Sequence, residues 1–596
     1  MESSRALRGI ALGLALLVLP LSAGAEPKVL RYAFEIAETS FDPQRIADVY
    51  SQVLNGGIFD TPLTYDYLAR PATLKPNVVA AMPEVSADGR SYTFHVRPGI
   101  YFSDDPAFNG RKRELVAADF IYGMKRVLDA RTRASQIAEI ESTVVGAREA
   151  ARKSRETNAF DYDAPIEGLK VVDKYTFQVR LNEPIAVFIY NFADCRIACA
   201  VAREVAEKYG DDFGSHPVGT GPWKLSFWKR SSKIALERSP TFREEHWDAN
   251  PPANDKRGQE IAAHLRGKRI PLIDRVEVSI IEETQPRWLA FLNGEMDLTW
   301  VPEEFSNQAM PNNKLAPNLA KKGIEMEQSP LLDITYLYFN MDDPVWGGYT
   351  PEKVALRRAV ALTYKTQDEI AIIRKGQAIP AQTPYAPGVT GWDDGFRTSA
   401  GENNVAKAKA LLDMYGYVDR DGDGYRETPE GRPLVFAFNS TPTARDSQMD
   451  ELWKRSLDDI GIRFTVNKAK WPDLLKAARQ RKLTMWSLGD SASAPDADTW
   501  LTLLWSKNEE QNFGNFHLPE YDRLYEKSRV TADVAERTRL YQQMAKLVVA
   551  YVPWKLGVHR IRTEMWWPDV YGFRRHPIYT YNFWKYIDID PAKKPK

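Results

Sequence analysis

Residues 217–240, PVGTGPWKLSFWKRSSKIALERSP, set the reading of this chain. Gly219 and Gly221 bracket Thr220 in a tight turn, the kind used where a side chain would clash or where φ must be positive. Pro222 then fixes φ and opens an extended run through Trp223, Leu225 and Phe227, with a second strand carrying Ile234 and Leu236. Taken alone this is a glycine turn ahead of a β-hairpin, and a lone GxG has little meaning.

Other blocks give it context. Phe41-Asp42-Pro43 follows a first strand from Leu30 to Phe34. Residues 82–104, MPEVSADGRSYTFHVRPGIYFSD, lead into Val116-Ala117-Ala118-Asp119-Phe120, a helix start. Tyr338-Phe339-Asn340-Met341 precedes Leu356-Arg357-Arg358-Ala359-Val360. In this order, and with GTGPW-K-L, they resemble the family 5 solute-binding proteins, extracytoplasmic receptors of peptide and nickel ABC importers. The resemblance runs in register from about residue 30 to 573. It implies an α/β, two-lobed periplasmic binding protein with a discontinuous lobe I (26–68, 214–336 and 553–596). A small α+β accessory domain (69–213) and a hinge-linked lobe II (337–552) would complete it. Composition does not show these breaks.

Length supports several domains, since 596 residues exceed what one core holds. The 80 basic and 80 acidic residues cancel, and no basic patch is concentrated enough for nucleic acid. With 16 Trp and 27 Tyr, most rings belong in cores, but a binding protein should spare some for a concave site. Arg5 and Arg8, an apolar run over 10–21 and Ala23-Gly24-Ala25 before Glu26 read as a secretory leader, 1–25. That run is shorter than the roughly 20 residues that span a bilayer, and no lipoprotein Cys follows it. A monomeric protein, soluble in a Gram-negative periplasm after leader removal, is the expectation.

Local patterns place the elements. Tyr92, Phe94 and Val96 alternate with polar neighbours, and 175–180, YTFQVR, nearly repeats that hexad, so both are half-buried strands of one small sheet. Phe120, Ile121, Met124, Val127 and Leu128 make one helix face, with Met124 in the core. Thr350-Pro351 begins a helix to about residue 364, and Thr366 with Glu369 offers a capping box for the next, ended by Gly376.

Three candidate sites emerge. Asp419, Asp421, Asp423 and Glu430 match an EF-hand loop with Gly424 at position six, which could wrap calcium; an Asp/Gly-rich turn needs no metal. Cys195 and Cys199 are too few for a metal site; a disulfide suits an oxidising compartment, whereas four-residue spacing in a regular helix does not suit a disulfide. The third is the segment 486–501, WSLGDSASAPDADTWL. It resembles the family's W-x-x-D…DP-D-x-F stretch, whose first Asp pairs with a peptide's α-ammonium. Asp496-Ala497-Asp498-Thr499-Trp500 matches the second half, but Asp490 lies one residue farther from Trp486 than that pattern expects. Depending on where the insertion falls, Asp490 or Ser493 occupies the amine slot, with Trp486 and Trp500 lining the cleft. The bland alternative for Asp490 is a loop cap. No HExxH, G-x-S-x-G or phosphate-binding loop is present, so a secreted hydrolase is the minor reading. The leading one is an oligopeptide receptor handing its ligand to an ABC permease, without organic cofactor; the same role for a sugar, nickel chelate or other solute is the alternative.

Overall fold

A computed structural model describes residues 26–492 and 494–593. The leader proposed at 1–25 and Ser493 lie outside the described residues. Among those described, no helix is long and apolar enough to cross a membrane.

The hairpin of the opening stretch is the edge of a four-stranded sheet. Trp223–Lys229 pairs with Lys233–Arg238, which pairs with Arg275–Ile280, which runs parallel to Val29–Phe34. One core joins Leu30, Trp223, Ile234 and Leu236 to Phe573, Trp584 and Ile589, so the C-terminal segment packs with the first strand. Both glycines of the turn serve close approach, since neither has positive φ. A Cβ on Gly219 would lie 2.0 Å from the Ile58 carbonyl oxygen, and one on Gly221 2.6 Å from that of Gly57. The turn is thus pressed onto the end of helix Val49–Ile58, where Gly221 N–H donates to Ile58 O at 2.9 Å. Thr220 Oγ1 donates to Asp60 at 2.8 Å, and Trp223 behind it is fully buried. Gly219→Ala should cost at or above the roughly 1–3 kcal/mol usual for overpacking, because backbone must move. Gly56→Ala, with nothing nearer than 3.7 Å, is the contrast and should be tolerated. Equal urea midpoints for the two variants would refute this account of the turn.

The two related hexads lie side by side. Ser91–His95 and Thr176–Arg180 are antiparallel with Phe94 opposite Phe177, rings stacked at 4.9 Å. Helix Ala117–Leu128 covers them through Phe120, 5.2 Å from Phe177. These residues anchor a separate core reaching from Leu63 to Val218.

The third core surrounds a five-stranded sheet in the order Arg463–Lys468, Val435–Ser440, Met485–Ser491, Asp333–Phe339, Trp554–Leu556. Here the expected lobe boundaries shift. A break at 336/337 would cut the strand Asp333–Phe339, and Trp554–Leu556 still belongs to this sheet rather than to lobe I. The chain leaves the neighbouring sheet (Leu298–Trp300, Val558–Trp566, Glu325–Pro330) between Pro330 and Asp333 and returns to it at Gly557. Gly557 is required there, since a Cβ would lie 2.5 Å from Thr335 Oγ1. A third crossing, Ala378–Pro380, also pairs with Val558–Trp566.

Helix Pro351–Thr363 starts at Thr350 as its sequence dictates. The capping box at Thr366 does not form: Lys365 is the N-cap and the backbone widens into a π-turn at Glu369–Ile373. Glu369 turns inward instead, to Arg374 at 2.6 Å and the Tyr364 hydroxyl at 2.9 Å.

Candidate functional site

Met485–Ser491 is the central strand of the five, paired along its whole length with Asp333–Phe339. Alternation places Trp486, Leu488 and Asp490 on one face. Asp490 is the penultimate residue of the strand, and its carboxylate accepts the Tyr336 hydroxyl at 2.5 Å. Tyr336 is held by stacking on Trp554, ring centres 3.8 Å apart. Burial pushes the Asp490 carboxyl above its ordinary range, opposed by the Tyr336 hydrogen bond and the Arg560 charge. Trp486 is buried against Trp471, which is 53% exposed at the mouth of the same cavity. Trp500 is placed differently from the sequence expectation. It is fully buried behind the strand and its Nε1 donates to the Asp490 carbonyl at 3.1 Å, so it fixes the backbone and lines no cavity wall.

The cavity, of about 320 Å³, is walled by Tyr336, Trp453, Trp471 and Trp486 and by the basic groups Arg374, Arg445, Lys555 and Arg560. That volume suits a small peptide or comparable solute. Arg560 is held by Asp333 at 2.6 Å, beside the crossing strands. Arg445 pairs at 3.5 Å with Glu303, just after the neighbouring sheet's strand Leu298–Trp300. Lys555, nearly inaccessible, lies 4.0 Å from the Tyr364 ring centre, and burial pulls its amine down to about 8. Sequence reasoning missed these four because they are scattered over 374–560 with no common spacing. Lys555 alone gave a signal, a charge inside the apolar strand Trp554–Leu556.

Asp496 and Asp498 flank the cleft without lining this cavity. Asp496 is buried, held by Arg537 at 3.1 Å and the Tyr541 hydroxyl at 2.8 Å. Asp498 beside it has a carboxyl pushed up to about 7, by burial first and the neighbouring Asp496 charge second. Residues 183–186 abut here: Ala186 N–H donates to Arg529 O at 2.7 Å, and Arg529 pairs with Glu183 at 3.0 Å.

In the acidic loop, Asp419, Asp421 and Asp423 converge, but Glu427 joins them in place of Glu430. Glu430 is turned away toward Arg432 at 3.6 Å, because the chain folds back into a bridge between Glu427 and Pro433. The Asp419 oxygens accept the N–H groups of Gly422 and Gly424, and Asp423 is paired with Arg463. These carboxylates already serve the turn, and the bidentate ligand of position twelve is missing. Calcium at millimolar concentration should therefore leave the melting temperature unchanged; a concentration-dependent rise would make the loop a cation site.

Cys195 and Cys199 are joined in a disulfide. The spacing objection does not apply, since the helix Cys195–Ala198 is a single turn and Cys199 is already extended. The bridge borders a smaller polar cavity, about 100 Å³, lined also by Asp60, Tyr65, Tyr190 and Asn582.

The sequence profile described as bacterial extracellular solute-binding proteins, family 5 middle, matches residues 73–512. Di/tripeptide-binding protein 2 of Pseudomonas aeruginosa (strain UCBPP-PA14) is 25% identical, covering 96% of this chain and 98% of its own. The probable deoxycholate-binding periplasmic protein YgiS of Escherichia coli (strain K12) is also 25% identical, over 95% and 94%. Among solved structures, HbpA2 from Haemophilus parasuis superposes with a TM-score of 0.73 at 18% identity, over 94% of this chain and all of that one.

Proposed function

The chain belongs to the bacterial extracellular solute-binding proteins of family 5, and on that premise we propose that it captures an oligopeptide between its lobes for delivery to an ABC permease. The observation that supports this best is the carboxylate of Asp490, held by Tyr336 and next in the strand to Trp486, Ser487, Leu488 and Gly489, which line the cavity that Asp490 itself does not line. Asp490 would take the peptide's α-ammonium, since a cation enclosed by closure needs a compensating charge. The extended peptide would then run along Met485–Ser491 toward Trp486, exchanging main-chain hydrogen bonds and leaving side chains to the pockets. The protein binds without turnover, acts as a periplasmic monomer, needs no organic cofactor and meets the permease subunits at the inner membrane.

An amine-free solute is the second reading, favoured by one observation: Asp490 already has a hydroxyl partner in Tyr336. The deoxycholate protein among the relatives keeps it in view. Native mass spectrometry of the purified protein, followed by calorimetry with the ligand found, decides between them. A co-purifying peptide released intact supports the proposal; a co-purifying amine-free solute, or peptide cleaved on incubation, refutes it.

A further inference from the structure

The cavity beside Asp490 has more cationic hydrogen-bonding capacity than its own acids use. Arg374 donates through Nε to Glu369, while its Nη1 is sealed from solvent with no partner among the described residues. Lys555 is 3% exposed, and its one polar contact among the described residues is the Thr366 hydroxyl at 3.4 Å. No carboxylate among the described residues comes within ion-pair distance of it; Glu369 acts on it from farther away. Arg445 pairs, among the described residues, with Glu303 alone. The other acids lining the cavity are occupied. Asp446 accepts the Thr441 hydroxyl, and Asp450 accepts Ser440 at 3.1 Å and pairs with Lys468. What remains is Asp450 Oδ1, a sealed acceptor with no donor among the described residues.

Enclosed ammonium and guanidinium groups are costly without counter-charges. Lys555 and the bare edge of Arg374 flank Tyr364 and Glu369, so one anionic guest could meet both. Uncharged side chains offer them at most a neutral acceptor, a weaker partner than a carboxylate. Resting on the peptide-receptor reading, we infer that the solute side chain lodged in this cavity is acidic. The carboxylate of a Glu or Asp meets Arg374 and Lys555, with Arg445 closing over it, and the same residue's backbone N–H faces Asp450 Oδ1. The amine of Lys555, held near 8 in the empty cavity, would regain full charge beside that carboxylate.

The terminal carboxylate of a peptide has the same chemistry, so the test separates the two sources. Calorimetry is run with Ala-Glu-Ala and Ala-Ala-Glu, their Gln counterparts, and the C-terminal amides of all four. At one of the two positions, the Glu amide should bind roughly 10- to 100-fold tighter than the Gln amide, as charge-assisted hydrogen bonds to a buried cation do. Equal affinities for Glu and Gln overturn the inference, and if amidation alone weakens binding, the carboxylate recognised is the terminal one. Failure of all eight peptides to bind would instead bring down the receptor reading and this inference with it. Lys555→Gln should bring the Glu-to-Gln ratio near one while the Gln peptide still binds. An unchanged ratio in a folded variant removes Lys555 from the site, and the peptide series on the parent protein remains decisive where that variant does not fold.

Discussion

Replacing Asp490 by asparagine should weaken peptide binding by a factor on the order of a hundred or more. Loss of one partner from an enclosed ion pair typically costs about 3–5 kcal/mol, and each 1.4 kcal/mol is tenfold in affinity. Asparagine keeps the shape and still offers Tyr336 an acceptor, so the empty protein should fold unchanged, or gain stability because Asp490 is costly to ionise there. This separation of binding from stability distinguishes an ammonium partner from a loop cap. N-acetylated peptides, lacking the cation, should bind the parent protein as poorly as free peptides bind Asp490→Asn. Unchanged affinity on Asp490→Ala, or indifference to acetylation, sinks the amine assignment and makes an amine-free solute the leading ligand.

The second large effect is on stability against pH. Asp498 has its carboxyl raised to about 7 by burial and by the Asp496 charge, with Arg529 and a Tyr525 hydrogen bond opposing and Glu139 adding to the rise. Between roughly pH 4, the unfolded value, and pH 7, the native state therefore holds a proton that the unfolded chain has released. Stability contributed by this group falls as pH rises through that window and is flat above it. The loss is on the order of a few kcal/mol, since tenfold in acidity is worth 1.36 kcal/mol. Asp498→Asn should flatten the profile and be the more stable form at pH 8, because it removes the buried charge. Urea midpoints at pH 5, 6, 7 and 8 measure this. Parallel profiles for parent and variant would mean that Asp498 ionises freely.

What the sequence made legible was local. Thr350-Pro351, the two YTF hexads and the GTGP turn each form the element their local pattern dictates, although the hexads' pairing and the turn's seat on helix Val49–Ile58 are long-range. At Thr366 the capping pattern lost to a tertiary demand: Glu369 is needed in the core beside Arg374 and Tyr364, and the helix widens to deliver it. Glu430 failed as a ligand because a bridge at Pro433 bends the loop before its twelfth position. Trp500 was read as cleft-facing on motif position, yet facing is set by a helix start after Ala497 that no alternation reveals. The basic cavity is wholly tertiary. Arg374, Arg445, Lys555 and Arg560 come from a π-turn, a helix N-terminus and the two strands on either side of Gly557, and only folding gathers them.

The paired crossings limit how this molecule can signal. Asp333–Phe339 and Trp554–Leu556 lie hydrogen-bonded to each other where they leave one sheet for the other, so neither can swivel without its neighbour. With Ala378–Pro380 as a third crossing onto the same strand, the connections lie close together, and any rotation between the two sheets would turn about them. Thr335, Gly557 and Arg560, at those crossings, are also part of the cavity wall, so a solute in the cavity would touch the connection between the sheets. A solute held there would bear directly on the crossings, so the change it would impose is a turn about them, largely independent of which side chains the solute carries.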